Sequence, residues 1–225
     1  MIKYYECKYC NAKFVKEGNF KKHDCEKKKR YEKLKKPLGQ AAYTAYGMWM
    51  NKKGRMTPPK ETFIDSSYYK PFIKFIKFSN KVAIPDREGY IEYMAKKGMN
   101  PSSWSNLEVY KDFINHFDKT YTPKQKAKIT VETFNELSRI FECDISEVFE
   151  HLEAGSLIKL IQARKLSPWV LLFSKSFLSF IEKDMNSAQR ARIQFYIDDK
   201  IWNKEFQKRP KDVESMKKYV KAMKL

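Results

Sequence analysis

Cys7, Cys10, His23 and Cys25 fall within nineteen consecutive positions, and this clustering constrains the N-terminus more tightly than any other feature of the chain. Two cysteines three apart can hold a metal from a tight turn. A thiolate and an imidazole thirteen or more residues further on complete a tetrahedron if the chain folds back toward them. Three of the four cysteines lie here, which is metal-site spacing rather than a disulfide framework. The fourth, Cys143, stands alone and is expected to be buried and inert. A chain of 225 residues buries a core without help from a metal, so the site reads as an added module. A catalytic zinc needs an open coordination position and a general base in a pocket, and so small a unit offers no pocket, so a structural ion is expected.

The residues between the ligands keep a pattern of their own. Tyr5 stands two before Cys7, Phe14 four after Cys10 and Phe20 three before His23. With the four ligands these positions resemble the Cys2His2 zinc finger in its variant with a final Cys, over about 25 of the 225 residues. The resemblance implies a ββα unit holding one structural Zn(2+) on Cys7, Cys10, His23 and Cys25. It also implies a helix starting near Glu17, whose groove-facing side carries Lys16, Asn19 and Lys22. Asn can read adenine and Lys guanine, but a single finger covers only about 3 base pairs. The chain departs from the family at the last arm, where Asp24 alone separates His23 from Cys25 and the family has three to five residues. Two helical positions differ by about 200°, so both side chains face one ion only if the helix unwinds after His23. The alternative is three protein ligands plus another group.

Charge is the dominant global signal, at +19 overall, and residues 1–60 hold 17 Lys/Arg against 5 Asp/Glu. Such a concentration is the footprint of a polyanion-binding surface. The densest run, Lys27, Lys28, Lys29, Arg30, Lys33, Lys35 and Lys36, is expected to grip phosphates. Of the 46 basic residues 38 are Lys, which favours backbone contact over base reading. A lysine-rich solvated surface of the kind AT-rich genomes encode is the plainer alternative.

The rest of the chain reads as helical, giving a mainly α fold: a small ββα zinc finger at 1–30, a basic arm and linker at 31–60, and a multi-helix domain at 61–225. Pro37 closes any helix through the basic run. Tyr43, Tyr46 and Trp49 share one side of a short helix, and Asn51–Lys60 is the candidate linker. In KPFIKFIKF (70–78), Phe72, Ile73, Phe75 and Ile76 fall on one helical arc with Lys74 and Lys77 opposite; a stacking platform for single strands is the rival reading. Trp104, Leu107, Tyr110, Phe113, Ile114 and Phe117 mark another apolar face. Thr122-Pro123, Asp144 with Glu147, and Ser167-Pro168 signal helix starts, with Gly155 as a C-cap and one long apolar helix after Ser167. Ser187–Arg209 and Asp212–Met223 supply two more amphipathic segments.

Residues 135–157 imitate a helix-turn-helix, but seven acidic residues against Arg139 between Val131 and Gly155 would repel phosphate. That segment is read as packing with an acidic face toward a basic partner. Catalysis is not expected. No glycine-rich phosphate cradle occurs, so no nucleotide is expected, His116 and His151 lack sequence neighbours to activate, and Asp198, Asp199, Glu205 and Lys208 caricature a metal-nuclease cluster on what reads as a solvated helix face. Nothing near Met1 resembles a signal peptide, and no apolar run is long enough for a membrane span, so a reduced, cytoplasmic location is expected. In style the chain looks like proteins of tailed bacteriophages and large DNA viruses; for a phage protein the cytoplasm is that of the bacterial host. The reading is a DNA-binding accessory protein, DNA before RNA, whose helical domain engages a protein partner in transcription, replication or recombination. The alternatives are an interaction adaptor or inhibitor that docks its finger and basic arm on an acidic protein, and, further off, a metal-dependent nuclease.

Overall fold

A computed structural model describes residues 4–225, which are mainly helical and divide into two compact units, one holding residues 4–81 and 87–113, the other 82–86 and 114–225. The first unit opens with two short strands, β1 (Tyr5–Glu6) and β2 (Lys13–Phe14), followed by α1 (Glu17–Lys21) and α2 (Glu26–Leu34). Then come α3 (Pro37–Lys52), α4 (Lys60–Asp65), α5 (Tyr69–Val82), α6 (Arg87–Lys96) and the start of α7 (Leu107–Thr120). Pro37 ends one helix and starts the next. It occupies the first turn of α3, where its missing N–H has no intrahelical partner to lose. Residues 31–60, read as arm and linker, therefore hold the end of α2 and all of α3, whose buried face carries Ala42, Ala45, Tyr46 and Trp49, and the loop that follows is 53–59.

Trp104 organises this unit's core. It is fully buried and meets Trp49, Phe72, Phe75 and Tyr90 edge-to-face, the ring geometry that aligns positive edges with negative faces. The Tyr90 hydroxyl donates to the Trp104 carbonyl at 2.7 Å, and burial raises its pKa well above the ordinary phenol value. α5 forms as its three-residue rhythm predicts: Phe72, Phe75 and Ile76 are buried while Lys74 and Lys77 are exposed. Phe72 and Phe75 have no accessible surface, which removes the stacking platform. Leu107 is exposed instead of joining the apolar face of α7, because the helix starts at Leu107 and Trp104 reaches the core from the 3-10 turn ahead of it.

The second unit contains the end of α7, α8 (Pro123–Phe141), α9 (Val148–His151), α10 (Ala154–Gln162) and α11 (Pro168–Leu171). After them run α12 (Lys175–Asp184), α13 (Ser187–Ile197), α14 (Asp199–Lys208) and α15 (Pro210–Ala222). Thr122 caps α8 in a reciprocal box with Gln125, and Asp144 and Glu147 form the same box at a 3-10 turn. The helix-turn-helix resemblance fails on geometry as well as charge. Glu142 at φ 53° ends α8, and a 3-10 turn and a four-residue helix follow where a helix-turn-helix has its single second helix. Gly155 is in the first turn of α10 rather than at a C-cap. The long apolar helix is also broken: buried Ser174 accepts from the Phe177 amide and caps α12 partway through it. Cys143 is half-buried, with burial pushing its thiol up.

Candidate metal centre

β1 and β2 pair antiparallel, Tyr5 opposite Phe14 and Glu6 opposite Lys13. The turn between them presents Cys7 and Cys10. Its bonds run from the Cys7 amide to the Ala12 carbonyl and from the Asn11 amide to the Cys7 carbonyl, at 2.9 and 2.8 Å. Asn11 sits at φ 57°, a left-handed conformation that Asn adopts more readily than most residues. Beneath the turn Phe20 lies 6.0 Å from Tyr5 and 5.9 Å from Phe14 by ring centroids, and Phe14 lies 4.9 Å from the His23 ring. None of α1 is buried, so these four rings are a patch rather than a core.

α1 ends at Lys21, one turn after it begins, and residues 23–25 have left the helix. The unwinding demanded by the single residue between His23 and Cys25 thus happens already before His23. Cys25 lies extended (φ −82°, ψ 102°) as the N-cap of α2, and its sulfur accepts from the Lys28 amide at 3.4 Å. The cysteine is both a ligand candidate and the first anchor of the next helix. Cys7 and Cys25 Sγ lie 3.7 Å apart, Cys10 Sγ and His23 Nε2 3.2 Å apart, and all four ligand atoms lie within 4.8 Å of one another.

These separations fit a shared ion. Tetrahedral Zn–S bonds of about 2.3 Å place two sulfurs about 3.8 Å apart, far beyond the ~2.05 Å of a disulfide. Cys7 and Cys25 are buried, His23 half-buried and Cys10 exposed. The amides of Tyr9 and Cys10 hydrogen-bond the Cys7 sulfur and pull its thiol down to about 6, which favours the thiolate that a metal requires. At Cys10 the Ala12 amide pulls the other way from burial and the sulfurs of Cys7 and Cys25, which together leave its thiol raised. A cation would relieve that crowding of sulfurs.

Lys16, Asn19 and Lys22 are all exposed, Lys16 as the N-cap and Lys22 as the C-cap of α1. The basic run of α2 divides in two. Lys27 pairs with Asp65 and Lys29 with Asp24, both at 2.6 Å, and Lys28 lies 3.9 Å from Glu32. Arg30 reaches Glu26, donates to the Ile64 carbonyl at 2.8 Å and stacks over Tyr69 at 5.0 Å. Lys33, Lys35 and Lys36 are exposed and carry no ion pair among the described residues. Arg30, Asp65 and Tyr69 thus anchor α2 to α4 and α5, a role invisible in a local reading because the partners lie more than thirty positions away.

Asp198 of the acidic cluster caps α14, accepting from the Ile201 amide, and Glu205 pairs with Lys208 at 2.8 Å; the Asp199 side chain lies outside the described residues. His116 is half-buried against Thr120, and His151 ends α9 beside Phe141. Among the described residues no helix is long and apolar enough to cross a membrane. The chain matches no family model, no curated protein and no solved structure.

Proposed function

We propose that the chain is a nucleic-acid-binding accessory protein in which one structural zinc ion, held by Cys7, Cys10, His23 and Cys25 in a ββα finger, fixes a basic helix for contact with phosphates. The observation that carries this reading is Cys25, a ligand candidate that is also the N-cap of α2. Closing the metal site orders the helix whose far end displays Lys33, Lys35 and Lys36. The finger adds Lys16, Asn19 and Lys22 on a separate exposed face. Lys27, Lys29 and Arg30 serve mainly to hold α2 in place, which leaves the free charge at its C-terminal end. The zinc supplies folding and not reaction chemistry, and the second unit engages a protein partner.

Fluorescence anisotropy on labelled duplex and single-stranded DNA across a salt series tests the reading. Log affinity should fall linearly with log salt, and reversing Lys33, Lys35 and Lys36 to Glu should flatten the slope. No binding at low salt, or a slope untouched by the reversal, sinks it. Strong binding to an acidic protein without DNA affinity would instead favour the adaptor reading.

A further inference from the structure

Arg164 stands where helices prefer glycine. It follows Ala163, the C-cap of α10, and its backbone is left-handed at φ 61°. Its amide bonds the Ile161 carbonyl at 3.0 Å and the Lys165 amide bonds that of Leu160 at 2.9 Å, which is the helix stop usually built on Gly because a Cβ crowds this conformation. An arginine here holds a conformation that side chains with a Cβ rarely adopt. Strain of this kind gathers at ligand clamps.

The Arg164 side chain lines a pocket of about 300 Å³ within the second unit. Its guanidinium grips Asp118 through two N–H groups, at 2.8 and 3.3 Å, and stacks over Tyr196 at 5.3 Å. Lys126 lines the same pocket, half-buried, with its ammonium donating to the Asp118 backbone carbonyl at 3.0 Å. It has no ion pair of its own among the described residues, since Arg164 takes the Asp118 carboxylate. Burial pulls its pKa down, and the charges of Arg209 and Arg164 act in the same direction against Asp118. The pocket therefore holds two cations to one carboxylate.

Its remaining wall is flat and apolar. Tyr196 and Trp202 are half-buried there, and the Trp202 indole N–H is fixed to the Tyr196 carbonyl at 2.7 Å. Phe195 and Ile201 line the same pocket, 80% and 52% exposed. A concave site with aromatic walls and a few convergent polar groups is the usual form of a small-molecule pocket.

We propose that this pocket binds a small organic anion built on a flat ring, its acidic group between Lys126 and Arg164 and its ring against Tyr196 and Trp202. Such a ligand supplies the counter-charge that Lys126 lacks and covers the exposed aromatic wall. The site is independent of the metal centre.

Isothermal calorimetry with 1-naphthaleneacetate, its neutral amide and the cationic 1-naphthylmethylamine tests this on the intact chain. The acetate should bind one to one, roughly tenfold or more tighter than the amide, with no binding of the amine. Lys126→Met should weaken the acetate by roughly tenfold or more while leaving the melting midpoint unchanged or raised, since it removes a desolvated charge; Arg164→Gly should weaken it as much, at a midpoint set by backbone relief against the lost Asp118 ion pair. No heat from the acetate at millimolar concentration, equal binding of the amide, or unchanged affinity in either variant overturns the proposal. So does an affinity loss that comes only with a lowered midpoint in both variants, which would assign the pair to the fold.

Discussion

Residues 4–25 and the stretch made of residues 37–81 and 87–113 belong to one compact unit yet differ in what they bury. The first stretch buries only Cys7 and Cys25, and its aromatic rings are a patch around His23. The second surrounds Trp104 with buried rings from α3, α5 and α6. A segment of about twenty residues cannot offset its chain entropy with three partly exposed rings. A metal bond can do so, contributing on the order of 10 kcal/mol in finger-sized units. The larger stretch needs no such help. The contrast predicts that the cysteine–histidine cluster and the core aromatics fail separately.

The largest effect expected is therefore local. Cys7→Ser, or zinc removal with a chelator, should release residues 4–25 and loosen the chain from α2 through Lys36 while the Trp104 core persists. Hydrogen exchange read by mass spectrometry checks this, with fast exchange confined to that stretch. Global unfolding on chelation would erase the contrast. The reciprocal change, Trp104→Ala, should lower global stability by about 3–5 kcal/mol and leave zinc content at one per chain, measured by denaturant melts and metal analysis.

A smaller effect is expected where the two stretches join. Gly39, in the first turn of α3, passes so close to α2 that an added Cβ would lie 2.2 Å from the Lys33 carbonyl oxygen and 2.5 Å from the Leu34 Cα. Both are backbone atoms, so Gly39→Ala must push the helices apart, at about 1–3 kcal/mol. If the melt of Gly39→Ala matches that of the unaltered chain, the close approach is not a constraint.

Much of this was legible in sequence, and the parts that were not have physical reasons. The cluster of Cys7, Cys10, His23 and Cys25 and its early helix end follow from local spacing, because its members are near neighbours in sequence. The caps at Thr122, Asp144 and Ser167 follow for the same reason, and so does the arc of α5. The break at Ser174 was hidden because serine inside an apolar run serves equally as helix interior and as N-cap, and only packing chooses. The structural use of Arg30 was hidden because Ile64 and Tyr69 lie more than thirty positions away. The exposure of Leu107 is hidden because periodicity cannot say which turn of a helix the core reaches. The amount of charge is legible in sequence, but counting lysines does not reveal that Lys27 pairs with Asp65 and Lys29 with Asp24.

The smallest expected effect is a pH dependence in the metal-free core. Glu92 of α6 accepts from Lys52 of α3 at 2.6 Å and pairs with Lys96 at 2.7 Å, first of these the Lys52 bond, and together they pull its carboxyl down to about 2. A depressed carboxylate contributes stability that is full above its unfolded value of 4.5 and is lost as pH falls through about 2. The groups are partly exposed, so solvent screening limits the loss to ~1 kcal/mol or less. Melts of Glu92→Gln against the unaltered chain should differ above pH 4.5 and converge toward pH 2. A constant gap across that window would assign the difference to something other than charge.

The account turns on the metal ordering the basic helix, and DNA affinity at low salt with and without that order tests it most directly. Zinc-loaded protein and Cys7→Ser would be titrated against one labelled duplex at equal ionic strength. The account predicts a loss of roughly tenfold or more in the variant together with a flatter salt slope. Equal affinity and equal slope for the two proteins would contradict it.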